Sequence, residues 1–335
     1  LMNGDGGTVI LGPSTSALLR ALATCYSEVL QPGRAVIVAE TGHEANVGPW
    51  VWLERAGVEL RWWRMDPTSF RCPLEALDEL LDERVALVAF PHVSNLLGEI
   101  VDVAAVADRA HRVGARVVVD GVAFAPHRAM DVAAWGVDWY AYSTYKVYGP
   151  HMAALWGRRE ALAELRGPNH FFIPENELPY KFELGGVNHE GCAGILGLRD
   201  YLGFLAGGED RGRFDRAAVA SAFALMTACE LPLQARLLEY LGSRDDVTVA
   251  GPTSAGPERV GTISFLHRSL SSAAITRACD RAGIAIRHGH MYAYRLCQAA
   301  GLDPADGVVR VSLVHYNTPE EIERLIEVLD RAMGS

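Results

Sequence analysis

The sequence predicts an α/β protein in which a mostly parallel central sheet is flanked by helices and followed by a smaller C-terminal α+β domain. Short runs rich in β-branched residues alternate with segments of helical periodicity in the first half of the chain. These runs are continuously apolar, which is typical of strands buried on both faces of a parallel sheet. From about residue 190 the pattern changes, so we predict a large domain at 1–207 and a small domain at 208–335.

Repeated βα units build the large domain. They predict a doubly wound layer in which helices cover both faces of the sheet. The predicted strands are 34–40, 58–63, 85–90, 116–120 and 138–143, and the predicted helices are 14–30, 46–57, 73–82 and 102–114.

The small domain is predicted to follow a long connecting helix. Helices are expected at 190–207, 211–242, 271–282 and 319–333, with strands at 247–251, 259–267, 284–287 and 308–316. The loop at 167–186 is long and rich in Pro, Gly and aromatic residues, and such loops are often functional.

Composition argues against a nucleic-acid partner, a membrane span and secretion. The formal net charge is −10 and no basic block is present, which argues against a nucleic-acid partner. The longest apolar stretch, 217–229, is shorter than the ~18 residues of a membrane span. The chain does not open with a signal-peptide pattern, and its six cysteines show no CxxC spacing. We therefore expect a cytoplasmic protein without a membrane partner.

Four groups of polar residues follow predicted strands or begin a predicted helix. Ligands of doubly wound sheets bind at the carboxyl ends of the strands. Ser14 and Thr15, after Gly12, begin a helix whose N–H groups and dipole suit a phosphate, although taken alone they are typical of an ordinary N-cap. His43 follows the first of these strands, where a packing role is the alternative. Asn95 follows the third, where a turn residue is the alternative.

Asp120 and Lys146 are the chemically most informative pair. Asp120 ends the strand "RVVVD", and a carboxylate buried there is costly unless it meets a cation. Lys146 lies in "STYKVYG" after a further strand, and it is one of only two lysines among the 31 Lys and Arg residues. Apolar surroundings lower the pKa of an amine and make it a better nucleophile towards aldehydes. Together with a phosphate site and a histidine, the pair predicts a pyridoxal phosphate site.

Several sequence blocks carry a resemblance to the class V aminotransferases, specifically to the cysteine desulfurase-like branch. They are "GHEANVGPWVWL", "HVSNLLGEIVDV", "VVVDGVAFAPHRAMDVAAWGVDWYAYSTYKVYGPHMAALWGR", "GGVNHE" and "VVRVSLVHYNTPEE", which span nearly the whole chain. The resemblance implies a fold type I pyridoxal-phosphate enzyme. It also implies a homodimer whose two subunits share each active site.

The resemblance assigns roles to residues of this chain. His43 would stack on the cofactor ring and Asn95 would contact its phenolic oxygen. Asp120 would pair with the pyridine nitrogen, and Lys146 would bind the cofactor covalently. The phosphate would be held by Ser14, Thr15 and Ser143. Arg310 would bind the substrate α-carboxylate, with Arg287 lining the same region.

Four positions depart from the desulfurase pattern. Ala123 replaces a glutamine and Tyr145 replaces a histidine, so a hydrogen bond from Tyr145 to the cofactor is one option and packing the other. Gly186 replaces a threonine that reaches the phosphate from the other subunit, where a backbone N–H would serve instead. Tyr292 replaces the nucleophilic cysteine. Nearby Cys297 is expected to pack inside a helix.

Other polar residues receive weaker expectations. His288 and His290 form an H-x-H pattern without further ligands, so we expect no metal site. His127 and His189 are candidate acid–base groups whose roles stay open. Lys181 lies in a polar loop, and an electrostatic or surface role is preferred to cofactor attachment.

The sequence therefore predicts a pyridoxal-phosphate enzyme acting on a small amino acid. We expect β-elimination that cleaves a C–S bond in a cysteine S-conjugate. The alternatives are cysteine desulfuration, transamination, and decarboxylating or epimerising chemistry. A catalytically silent scaffold is the non-enzyme alternative, against which the retained Lys146 argues. The resemblance also implies an N-terminal arm before the phosphate-binding helix, and we expect its contacts to be absent from this sequence or built differently.

Overall fold

A computed structural model describes residues 1–207 and 214–334 of the chain. Its larger sheet has seven strands in the order β1-β7-β6-β5-β4-β2-β3. The strands β2 to β6 run parallel, whereas β7 pairs antiparallel with both β6 and β1. Their bounds are β1 (Gly7–Gly12), β2 (Ala35–Ala39), β3 (Glu59–Trp63), β4 (Val85–Pro91), β5 (Arg116–Asp120), β6 (Trp139–Ser143) and β7 (Ala153–Arg158).

Two layers of helices bury the two faces of this sheet. Alternate side chains of a strand point to opposite faces, so Val36 and Val38 join one core while Ile37 joins the other. The helices are α1 (Thr15–Val29), α2 (Gly48–Val51), α3 (Leu74–Leu80), α4 (Val103–Arg112), α5 (Arg159–Glu164), α6 (His189–Ile195), α7 (Gly197–Leu205), α8 (Arg216–Gly242), α9 (Ser272–Arg281), α10 (Tyr294–Ala299) and α11 (Pro319–Met333). Helices α1, α2 and α5 contribute to the first core, and α3, α4, α7 and α8 contribute to the second.

The smaller sheet has four antiparallel strands in the order β10-β11-β9-β8. These strands are β8 (Val247–Ala250), β9 (Thr262–His267), β10 (Arg287–Gly289) and β11 (Val308–Ser312). Helices α9 and α11 and the C-terminal half of α8 pack on one face of the sheet and form a third core. The mostly parallel central sheet and the smaller α+β part agree with the predicted fold class.

Two predicted helices are divided into shorter ones in the structure. The predicted helix 46–57 is instead α2 enclosed by two 3-10 helices, Glu44–Asn46 and Trp52–Ala56. The predicted helix 190–207 is divided into α6 and α7 at Leu196. Residues 211–213, with which a further predicted helix begins, lie outside the described residues. The predicted boundary between 207 and 208 adjoins them and stays a prediction.

Helix α8 connects the two parts of the molecule. Its N-terminal half buries Phe223 and Met226 in a core of the large sheet, and its C-terminal half buries Leu237 and Leu241 beside the small sheet. By length and composition α8 is apolar enough to cross a membrane. The fully buried Glu230 in the middle of α8 accepts a hydrogen bond from His127 at 2.9 Å. This packing on both sides is that of a core helix joining two sheets.

Candidate active site

The first turn of α1 lies against the end of β6. The Ser14 hydroxyl caps α1 by accepting a hydrogen bond from the Ala17 N–H at 3.1 Å. The buried Thr15 hydroxyl lies 2.8 Å from the hydroxyl of Ser143, the last residue of β6. Three hydroxyls therefore lie at the positive end of a helix dipole, which is the arrangement that binds a phosphate. The N-cap role of Ser14 is observed, and its phosphate role stays a prediction.

Lys146 lies in a 3-10 helix, Thr144–Val147, that begins where β6 ends. The Thr144 hydroxyl fixes this turn by donating to the Met152 carbonyl at 2.9 Å, and Tyr148 ends it with φ 60°. The Lys146 side chain is accessible from a cavity that it lines together with His43 and Asp120. Partial desolvation lowers the pKa of its amine, opposed by the nearby Asp120 carboxylate.

Asp120 is buried at the carboxyl end of β5, with only 6% of its surface exposed. One carboxylate oxygen accepts a hydrogen bond from the Val122 N–H at 3.0 Å, and within residues 1–207 and 214–334 no ion pair neutralises it. Burial raises the pKa of Asp120, while the Val122 N–H, His43 and Lys146 oppose that rise. The turn after Asp120 needs glycine, since a Cβ on Gly121 would lie 2.2 Å from the ring of Tyr140.

His43 lines the same cavity from the loop after β2. Its Nδ1 accepts a hydrogen bond from the Ala45 N–H at 3.0 Å, which leaves the proton of the neutral ring on Nε2. Burial lowers the pKa of His43, so the neutral form is favoured at neutral pH. The ring of Tyr292 stacks against His43 with centroids 5.3 Å apart.

Asn95 lines the cavity and is in contact with Arg310. Arg310, on β11, donates from Nη1 to the Asn95 carbonyl at 2.9 Å, while the Asn95 side-chain amide donates to the Met291 carbonyl at 2.7 Å. Burial lowers the pKa of Arg310, and so does Arg287, which is its partner in the β10–β11 register. Two buried atoms, Asn95 Oδ1 and Arg310 Nε, have no partner among the described residues. Asn95 Oδ1 can accept a hydrogen bond from a ligand, and Arg310 Nε can donate one.

Some predicted residues lie elsewhere or act differently. Tyr145 lines the cavity, but its ring stacks on His151 at 4.8 Å. Gly186 lines a neighbouring cavity of about 420 Å³. Of the electrostatic or surface role predicted for Lys181, the surface part is wrong, because the residue is buried. Its amine donates to the Leu165 carbonyl at 2.9 Å and pairs with the Glu175 carboxylate at 3.4 Å. Lys181 therefore holds the 167–186 loop to the large domain.

The histidine and cysteine candidates are also resolved by their surroundings. His127 is buried against Glu230 rather than at the cavity, and His189 is an exposed residue at the start of α6. Cys297 packs in α10, where burial raises the pKa of its thiol to about 11. No cysteine lines the Lys146 cavity in the described part of the chain. Within residues 1–207 and 214–334, no group of His, Cys, Asp and Glu is arranged to hold a metal ion.

These residues fit pyridoxal phosphate. The uncompensated, buried Asp120 matches a protonated ring nitrogen, because a cationic partner would offset its desolvation. The first turn of α1 with Ser143 matches the phosphate, and the accessible amine of Lys146 matches the aldehyde. Arg310 Nε has no hydrogen-bond partner among the described residues, so the guanidinium keeps donor capacity for a carboxylate.

Two contributors escape sequence reasoning. Ser16 also lines the cavity. It belongs to the same "PSTS" run as Ser14 and Thr15, so the sequence contains a hydroxyl that could have been included in the predicted phosphate site. The Met291 carbonyl, which binds Asn95, has no sequence signal because a backbone oxygen is common to all residues.

Comparisons with known proteins agree with this geometry. Residues 3–325 match the model of the family described as aminotransferase class-V. The aminotransferase-like protein FGM3 of Gibberella zeae is 39% identical over 331 residues, which cover 97% of this chain and 78% of that protein. The cysteine desulfurase-like protein ustD of Aspergillus flavus is 33% identical over 340 residues, covering 96% and 73%.

A solved structure of a cysteine desulfurase, CsdA of Escherichia coli, is similar in fold. The two structures superpose with a TM-score of 0.82 over 97% of this chain and 78% of that one, at 24% identity.

Proposed function

The chain belongs to the aminotransferase class-V family and is a pyridoxal-phosphate-dependent enzyme with the type I fold, and from this premise we propose that it cleaves a C–S bond by β-elimination. The substrate of this reaction is a cysteine S-conjugate. It reacts with one water to give a thiol, pyruvate and ammonium, so atoms and charge balance. The proposal rests on one observation above all. Tyr292, rather than a cysteine, contacts His43 beside the Lys146 cavity, and no thiol of the described residues lines that cavity.

The residues divide the work of binding. Arg310 binds the substrate α-carboxylate through its guanidinium, whose Nε has no protein partner among the described residues. Its Nη1 donates to the Asn95 carbonyl, which fixes the orientation of the guanidinium. The hydroxyls of Thr15 and Ser143 and the first N–H groups of α1 hold the cofactor phosphate. His43 stays neutral because burial lowers its pKa, and it covers the cavity beside Asp120.

The same residues divide the chemistry. The cofactor supplies an electron-withdrawing ring that stabilises negative charge at the substrate Cα. The Asp120 carboxylate would keep the ring nitrogen protonated, because a cation beside it offsets the cost of burying its charge. The Lys146 amine takes the Cα proton, and desolvation, which lowers its pKa, favours the neutral, basic form of the amine. Loss of the thiolate from Cβ then completes the elimination.

The experiment compares S-methyl-L-cysteine with L-norvaline, an isostere in which a methylene replaces the sulfur. We expect pyruvate and methanethiol in equal amounts from S-methyl-L-cysteine and no pyruvate from L-norvaline. The Lys146→Ala variant should produce neither.

Two other outcomes would contradict β-elimination. Alanine formed from free L-cysteine, without pyruvate, would establish desulfuration through another thiol. A 2-oxo acid formed from L-norvaline would establish transamination.

We also propose that the enzyme is a homodimer. Large apolar side chains are exposed on the single chain, and they include Phe171, Phe172, Leu196 and Phe204. The resemblance to class V enzymes implies that Gly186 of one subunit approaches the phosphate site of the other. Sedimentation of the purified chain should give twice the chain mass of 36.4 kDa, and a stable monomer at micromolar concentration would contradict the proposal.

A further inference from the structure

We propose that Tyr292 is a positioning residue for the cofactor site, and that it acts through His43 from a clamp formed by residues 290–295 of the small domain. This inference rests on the cofactor site, which every reaction considered for this enzyme shares, and not on β-elimination. It assigns a role to the side chain that stands where the desulfurase pattern has its nucleophile.

The clamp holds His43 by both a ring and a backbone contact. The Tyr292 ring lies 5.3 Å from the His43 ring at an interplanar angle of 29°. The Tyr292 carbonyl accepts a hydrogen bond from the N–H of Glu44, the next residue after His43, at 2.8 Å. An ion pair between Arg295 and Glu44 at 3.1 Å adds a third contact. The loop that carries His43 is thus fixed from the small domain.

The residue before Tyr292 holds the opposite side of the cavity. The Met291 carbonyl accepts from the Asn95 side-chain amide at 2.7 Å. Because Nδ2 takes this contact, the amide orientation of Asn95 is set and Oδ1 is left facing the site without a partner. Two consecutive carbonyls of the clamp therefore position residues on two different loops of the large domain.

The backbone of the clamp is strained where it makes these contacts. Met291 and Tyr292 have φ values of 47° and 63°, in a region that residues other than glycine rarely adopt. His290 supports this conformation, since its Nδ1 accepts from the Tyr292 N–H at 3.1 Å and its carbonyl accepts from the Ala293 N–H at 2.7 Å. Strained backbone of this kind persists where surrounding contacts over-determine it, and it is concentrated at functional sites.

Tyr292 acts indirectly, because its ring does not line the cavity. Among the described residues, the cavity is lined by His43, Asp120 and Lys146 but not by Tyr292, whose side chain is 69% exposed. With Nδ1 of His43 already accepting from Ala45, the stacked Tyr292 ring restricts the remaining rotation of the imidazole. The consequence is a cofactor environment that depends on the aromatic ring of Tyr292 rather than on its hydroxyl.

The test uses the absorbance spectrum and cofactor affinity of the holoenzyme, which require no turnover. Tyr292→Leu removes the ring and should shift the absorbance maximum of the bound cofactor and weaken cofactor binding by roughly threefold to tenfold. Tyr292→Phe keeps the ring and should match the wild type in both. The control is Tyr180→Leu, since Tyr180 is an exposed tyrosine that lies outside the clamp and does not line the Lys146 cavity. That variant should also match the wild type.

A second variant separates positioning from stability. Tyr292→Gly removes the ring but accepts the positive φ, so it should unfold at a temperature no lower than that of the wild type while showing the same spectral shift as Tyr292→Leu. If Tyr292→Leu and Tyr292→Gly keep the wild-type spectrum and cofactor affinity, the proposal is wrong. If Tyr292→Phe loses the wild-type spectrum and the wild-type cofactor affinity, the hydroxyl of Tyr292 acts rather than its ring, and the proposal is also wrong. Neither outcome bears on whether the enzyme performs β-elimination.

Discussion

The buried carboxylate of Asp120 lowers the stability of the cofactor-free fold, and its position suits cofactor binding. Its carboxylate is buried at the end of β5, has a single N–H donor, and has no neutralising cation in the described part of the chain. Burial raises its pKa, which means that the folded protein holds this group as a carboxylate less readily than the unfolded chain does. A bound cationic ring would reverse this effect.

Asp120→Asn should stabilise the cofactor-free protein at neutral pH. The unfolded carboxyl ionises near pH 3.9, whereas the folded one keeps its proton to higher pH, so the group destabilises the fold increasingly as pH rises from about 4. Asparagine removes this contribution and can still accept the Val122 N–H. We expect the variant to have a higher free energy of unfolding than the wild type at pH 7, and the difference should disappear near pH 4. Urea titrations at both pH values measure it.

The same variant should lose most of its activity. Asparagine cannot keep the ring nitrogen protonated, and we expect kcat to fall by about 10²-fold to 10⁴-fold. A variant that is both less stable at pH 7 and fully active would contradict the role of Asp120.

Single residues were predictable where chemistry demands a specific side chain. Asp120 and Lys146 follow from the cost of a buried carboxylate and from the rarity of lysine in this chain, and the structure brings both to one cavity. The burial of Lys181 was not predictable, because its polar loop suggested solvent exposure although the loop folds back and buries the amine. The clamp at Met291 and Tyr292 was not predictable, since it depends on backbone dihedral angles.

At the level of elements, the sequence predicts the parallel strands well and the antiparallel ones poorly. The predicted strand 116–120 coincides with β5, and the other parallel strands agree to within one residue at each end. These strands are buried on both faces and read as continuous apolar runs. Strands β1 and β7 were not predicted, because "GTVILG" and "AALWGR" contain glycine and alanine that depress strand propensity. Their strand conformation depends on tertiary pairing, of β1 with β7 and of β7 with β6.

Helix boundaries depended on local chemistry that sequence patterns reveal unequally. Helix α11 has a capping box between Thr318 and Glu321 and a proline at its start, and its predicted span is the observed one. The predicted helix 46–57 contains Pro49, which lies in the first turn of α2, and the segment is broken into three short pieces. The break between α6 and α7 at Leu196 has no proline to mark it.

At the level of the whole molecule, the active site lies where the two sheets meet. Lys146 and Asp120 come from the large sheet, whereas Arg310 and the clamp come from the small one. Helix α8 packs in cores on both sides and fixes the distance between them. Sequence patterns predicted both halves, but the contacts between them join residues about 200 positions apart, and only the family resemblance linked Arg310 to the site.

Lys146 is predicted to bind the cofactor covalently through its side-chain amine. Borohydride reduction followed by peptide mapping tests this assignment. Reduction fixes pyridoxal phosphate to the amine that holds it, and the labelled peptide is identified by mass. We predict a label on the peptide containing Lys146, none on the peptide containing Lys181, and none anywhere in the Lys146→Ala variant. A label on Lys181, or an unlabelled Lys146 in purified protein supplied with cofactor, would contradict the account.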